Sequence, residues 1–225
     1  MHSQSKTKTR SNHLKELTSI IEHINQALDA KSKVRDRTLT RSRELIRACA
    51  NTIRAVHRQE FETAETLLQA AQGTADEMID DAKTYPDVYH AGYTQDALKE
   101  FTEANLTRAI VLDLTLPSPE ELKVEYAAYL NGLAETGGEL RRFALDALRR
   151  SDVPEAERML GRMEDIYSLL VTVDFPSGIT GNLRRNTDMV RGVLHRTRGD
   201  VTTAVRQETM KEALKALEKK LDLHS

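Results

Sequence analysis

The chain has 225 residues, enough for one large domain or a compact pair, and carries a net charge of −2. A single cysteine, Cys49, excludes an intrachain disulfide framework. No apolar run reaches transmembrane length, and the first residues, Met1 to Arg10, lack the apolar core of a signal peptide. These features predict a cytoplasmic protein without a membrane span, with a disordered tail over 1–10 and a single helical domain over 11–225. Only 4% of residues are aromatic, there is no Trp, and ten glycines and five prolines leave few turns, the composition of long helices and few strands.

In chain order, Leu14, Leu17, Ile20, Ile21, Ile24 and Leu28 recur at helical spacing, and Leu39, Leu45, Ile46, Cys49, Ile53 and Val56 continue the pattern. They predict a helix over 12–57, with a break near 30–33. Cys49 falls on the apolar side, as a buried structural thiol would. A second helix is predicted over 60–85, ended by the Tyr85-Pro86 step, since the residue before proline resists helical geometry. A third follows over 87–114. Pro117-Ser-Pro119 is a loop in which Ser118 can cap a helix running to about residue 150, and Ser151-Asp-Val-Pro154 restarts the chain toward residue 173. After Asp174-Phe-Pro-Ser-Gly178 come two apolar stripes, one from Ile179 to Val201 and one of Met210, Leu214, Leu217 and Leu221. The second suits either the core or a neighbouring subunit. Six or seven long helices with short connections predict an all-α antiparallel bundle.

Two glutamate pairs stand out. Glu100 and Glu103 are three residues apart, Glu135 and Glu139 four apart, so on helices each pair projects from one face. Brought together, the pairs would form a four-carboxylate pocket of hard oxygen donors, suited to Mg²⁺, Ca²⁺ or Mn²⁺ and to metal-assisted hydrolysis. In a chain with 30% charged residues, glutamates at this spacing usually line a solvated face. Neither pair has a histidine three residues on, which disfavours a di-iron bundle. Charge is also segregated: residues 31–58 hold nine Lys or Arg against Asp36 and Glu44, while residues 59–104 hold only Lys83 and Lys99 against eleven acids.

Three segments carry a family likeness: Ser42-Arg-Glu-Leu-Ile-Arg47 leading to Ala55-Val-His-Arg58, Glu100-Phe-Thr-Glu-Ala104, and Tyr129-Leu-Asn-Gly-Leu-Ala-Glu-Thr-Gly-Gly-Glu-Leu140. In their order and helical context the chain resembles the translin family, and within it the translin-associated factor X (Trax) branch. The resemblance implies an all-α fold that oligomerises into a hollow shell and binds single-stranded RNA or DNA. In the Trax branch it implies a Mg²⁺-dependent endoribonuclease, with Mn²⁺ as a substitute ion. The alternative is a non-catalytic RNA- or DNA-binding homo-oligomer of the translin type. Carried over, the catalytic and metal-binding positions are Glu100, Glu103, Glu135 and Glu139. The chain departs from the family in having Glu rather than Asp at 135 and two glycines, Gly137-Gly138, in place of one.

Basic stripes supply the expected nucleic-acid contacts. Arg43, Arg47, Arg54 and Arg58 fall within an arc of about 60° with His57 at its edge, and Arg184, Arg191, His195 and Arg198 make a similar arc later on. Arginine's planar fork suits phosphate, though such stripes also serve as plain solvated faces. Tyr85, Tyr89, His90 and Tyr93 could stack bases or fill a hinge between helices.

Overall fold

The computed structural model describes residues 3–222, with side chains from 13 to 221. Among the described residues there are nine helices: α1 (Ser3–His57), α2 (Phe61–Ala82), α3 (Pro86–Tyr89), α4 (Gly92–Val111), α5 (Pro119–Leu122), α6 (Tyr126–Arg149), α7 (Val153–Leu170), α8 (Ser177–Thr180) and α9 (Leu183–Asp222). Six are long and three are single turns, and no strand competes, so the fold is all-α. None of these helices is long and apolar enough to cross a membrane.

Helix α1 is continuous through the expected break at 30–33, where no Gly or Pro interrupts it. The predicted third helix divides instead into α3 and α4. The chain turns at His90 and Ala91, and Thr94 Oγ1 and Gln95 Nε2 donate to the carbonyls of Val88 and Tyr89, each at 2.8 Å. Ser118 caps α5 in a capping box with Glu121, and Lys123, at φ 56°, ends that turn before α6 begins. From Leu183 onward the two late apolar stripes lie on one helix, α9, while Ile179 lies on α8.

Helices α4 and α6 pack against each other at the centre, with α1 beside α4 and α9 beside α6. Helix α2 covers α1, and α7 fills the groove between α6 and α9. Because aromatic residues are scarce, alanines make the close approaches: Ala55, Ala64, Ala97, Ala104, Ala134, Ala144 and Ala156 are all fully buried. One core cluster gathers Leu140, Met159, Met163 and Leu194 where α6, α7 and α9 meet. Another gathers Leu45, Cys49, Met78, Leu98 and Phe101 where α1, α2 and α4 meet. Tyr85 and Tyr89 pack on Val34, Ala82 and Val88, so these two tyrosines fill the hinge beside α3. Helix α4 is buried almost all round, and Arg158 of α7 ties down its end by donating to the carbonyls of Ile110 and Val111 at 3.3 and 2.8 Å. The early part of α1 and the late part of α9 extend past this packing: Leu14, Leu17, Ile21, Ile24 and Leu28, and Met210, Leu214, Leu217 and Leu221, are all exposed.

Candidate active site

The central helix pair brings the glutamates together through one glycine. A Cβ at Gly132 of α6 would stand 2.7 Å from the Lys99 carbonyl oxygen and 2.8 Å from Thr102 Cβ, so only glycine lets α4 and α6 approach this closely. Gly137 and Gly138, in the second turn after it, meet no such limit. The approach sets Glu135 opposite Glu100 and Glu103, and one carboxylate oxygen from each lies within 4.8 Å of the others. Glu103 is only 8% exposed, in the middle of the most enclosed helix.

Burial and the neighbouring carboxylates disfavour ionisation of Glu100 and Glu103. Burial, followed by the charges of Glu100, Glu135 and Glu139, pushes Glu103 up to about 8, with Lys99 as the opposing charge. Glu100 is raised as well, first by burial and then by Glu135, again opposed by Lys99. Cys49 lies against the same cluster, where burial and the charges of Glu100 and Glu103 hold it as a thiol far above its ordinary range. That removes it as a nucleophile. A set of three converging carboxylates with a reluctant buried member is one that a hard divalent cation could stabilise, and Glu100, Glu103 and Glu135 could hold it.

Glu139 stands at the margin of this set. Its Oε2 is 2.5 Å from Nε2 of His57, and Arg142 lies 3.8 Å from the same oxygen. The His57 side chain is 4% exposed, its ring 6.2 Å from Phe143, and its Nδ1 is buried without a hydrogen-bond partner. His57 therefore turns inward to the acid site instead of joining the exposed arginine arc. Position at the edge of a helical arc does not fix which side a ring will take.

The arginines of both arcs are exposed. Arg54 donates to Asn51 at 2.6 Å, Arg58 pairs with Glu60 at 2.8 Å, and Arg43 and Arg47 have no acidic partner among the described residues. On α9, Arg191 pairs with Asp188 at 3.0 Å and Arg198 with Glu164 at 2.8 Å, while Arg184 and His195 are exposed.

Beside the acid cluster opens a cleft of about 730 Å³ between α4, α6, α8 and the start of α9. Its wall includes Lys99, Glu135, Asn131, Asn186 and Arg185. Asn186 donates to Asn131 Oδ1 at 2.9 Å and reaches Glu135 Oε1 at 3.5 Å, which joins the cleft wall to the carboxylates. Sequence reasoning missed Lys99 and this asparagine pair. Lys99 carried a usable signal as one of two cations in a strongly acidic stretch, whereas the Asn131–Asn186 contact spans 55 positions and leaves no local trace.

No protein-family model matches the chain. It is 34% identical over 191 residues to "Uncharacterized protein MJ0175" of Methanocaldococcus jannaschii, covering 84% of each chain. Among solved structures it resembles AfC3PO at 32% identity, covering 83% of this chain and 97% of that one, with a TM-score of 0.78. AfC3PO in its complex with duplex RNA matches at 31% identity over the same shares, with a TM-score of 0.72. Apo-NeC3PO, at 20% identity, 82% and 96% coverage and a TM-score of 0.76, shares the fold. With identities above 30% across most of both chains, and with the all-α architecture in common, this chain belongs to the translin family of C3PO-type proteins.

Proposed function

We propose that this protein is a Trax-like, metal-dependent endoribonuclease that binds RNA as a homo-oligomer and cuts single strands. The observation that carries the reading is the convergence of Glu100, Glu103 and Glu135 on one shared locus. The RNA complex of AfC3PO supports RNA as the ligand, and single-stranded DNA has the same phosphate chemistry. A single strand can bend toward a carboxylate that is 8% exposed, which a stiff duplex does less readily. The exposed apolar stripes of α1 and α9 support self-association.

In this reading Glu100, Glu103 and Glu135 hold Mg²⁺ or Mn²⁺. The bound ion supplies charge neutralisation at the scissile phosphate and acidifies water. Glu139 has one oxygen engaged by His57, which leaves Oε1 to accept the proton of the attacking water. His57, donating from Nε2, fixes the orientation of that carboxylate. Arg43, Arg47, Arg54 and Arg58, with the α9 arginines, draw in the phosphate backbone from exposed faces of α1 and α9.

The test is incubation of the purified protein with end-labelled single-stranded and duplex RNA, with Mg²⁺, with Mn²⁺ and with a chelator. Chelator-sensitive internal cuts in the single strand are the expected result. Binding without cleavage under every ion would leave the non-catalytic RNA-binding oligomer as the function. The arginines make a separate prediction. Arg43→Ala with Arg47→Ala should weaken binding to unrelated RNA sequences alike and reduce the salt slope by about one for each arginine engaged. Parental affinity and slope in filter-binding titrations would move the binding surface away from α1.

A further inference from the structure

Lys99 is the cation held by the acid cluster. Its Nζ lies 2.9 Å from Oε1 and 2.8 Å from Oε2 of Glu135, and 3.5 Å from Oε1 of Glu100. It is the charge that opposes the upward shift of both Glu100 and Glu103. Lys99 also lines the cleft beside the cluster.

These positions put two demands on the same oxygens. An ion shared by Glu100, Glu103 and Glu135 needs an oxygen of Glu135, and both are in contact with Lys99. Two cations cannot occupy one place, so ion and ammonium compete. Lysine's flexible four-carbon stem lets a displaced ammonium move while its backbone stays in α4, and the open volume next to it is the cleft. Where two-ion nuclease sites clamp a phosphate between two metals, one ion and one ammonium supply positive charge on both sides with a single metal.

We infer that Lys99 is a tethered cation that competes with the divalent ion for Glu135 and, once displaced, binds the RNA phosphate in the adjoining cleft. The inference rests on the nuclease reading above for its phosphate half. A lysine that merely staples α4 to α6 would show neither competition nor phosphate contact.

The experiment compares full-length parental protein with Lys99→Met and Lys99→Arg. Mn²⁺ affinity is measured by calorimetry without RNA, and kcat and KM are measured on labelled single-stranded RNA at saturating Mg²⁺. Lys99→Met should bind Mn²⁺ about tenfold more tightly, since its competitor is gone. At saturating ion it should cut roughly a hundredfold more slowly, the loss expected for one preorganised charge at the phosphate. Lys99→Arg should keep most of the rate. Equal or weaker Mn²⁺ affinity in Lys99→Met overturns the competition, and a parental kcat overturns the phosphate role. If the parental protein binds Mn²⁺ but cuts no RNA, the nuclease reading fails on its own. The Mn²⁺ comparison still decides competition, and weaker RNA binding by Mn²⁺-loaded Lys99→Met still supports the phosphate contact, while equal binding overturns it. A parental protein that binds no Mn²⁺ overturns both. Should the methionine variant misfold by circular dichroism, Lys99→Gln takes its place.

Discussion

Glu103→Gln is expected to stabilise the metal-free protein at alkaline pH while abolishing metal-dependent cleavage. The folded-state value of about 8 lies above the ordinary carboxylate value, so the folded protein binds the proton more tightly than the unfolded chain does. The contribution of this group is fully present below pH of about 4.5 and is lost as pH rises through about 8. Glu100 shifts in the same direction and adds to the loss. The parental melting temperature without metal should therefore fall across that window. Glu103→Gln, which has no proton to lose, should flatten the fall and finish on the order of a few kcal/mol more stable above it. Divalent ion should stabilise the parental protein most at the alkaline end, because the ion needs the carboxylate ionised. The same variant should bind RNA at least as well as the parent, since a charge that repels phosphate is gone. Coincident melting curves for the two proteins from pH 5 to 9 would show that Glu103 is not the strained acid of the cluster. Parental cleavage by the variant would remove it from catalysis.

Gly132→Ala and Gly138→Ala should act in opposite directions although they lie on one helix. At Gly132 the added methyl collides with a backbone carbonyl and a threonine Cβ, neither of which is the free end of a flexible chain. Helices α4 and α6 must separate, at a cost of about 1–3 kcal/mol. Glu135 then moves away from Glu100 and Glu103, and a displacement of about 1 Å is enough to lower cleavage by roughly a hundredfold. At Gly138 the methyl enters open space, and the better helix former should add about 0.5–1 kcal/mol. Denaturant melts and cleavage rates of both variants check this. A Gly132→Ala protein as stable and active as the parent would show that the helix spacing is not set there.

Much of this site is legible in the chain because its parts are local. Glu100 with Glu103 and Glu135 with Glu139 are helical neighbours, and periodicity alone assigns each pair a face. Proline marks the starts of α5 and α7, together with the capping side chains Ser118 and Asp152, for an equally local reason: their effect on φ or on a free N–H reaches only one turn. What pairs one face with another is not local. The separation of Glu139 from the other three acids depends on His57, 82 positions away, and the bidentate hold on Glu135 depends on Lys99, 36 positions away. The break between α3 and α4 escaped notice because side chains of Thr94 and Gln95, rather than a proline, mark it by bonding the carbonyls of Val88 and Tyr89. The union of two stripes into α9 escaped because the apolar pattern changes face where the helix leaves the bundle.

That departure from the bundle has a consequence for local opening. Helix α1 is 55 residues long, yet its first buried apolar residue among the described ones is Val34. From residue 13 to that point the turns are held by their own backbone bonds and by surface contacts such as the Lys31–Asp87 ion pair, without the tertiary burial that supplies most helical stability in proteins. Amide hydrogens before residue 34 should therefore exchange by fraying from the end, independently of the core, while those from Leu45 to Val56 wait for global unfolding. Protection spreading into the early turns as protein concentration rises would measure directly how much of α1 owes its order to a second molecule.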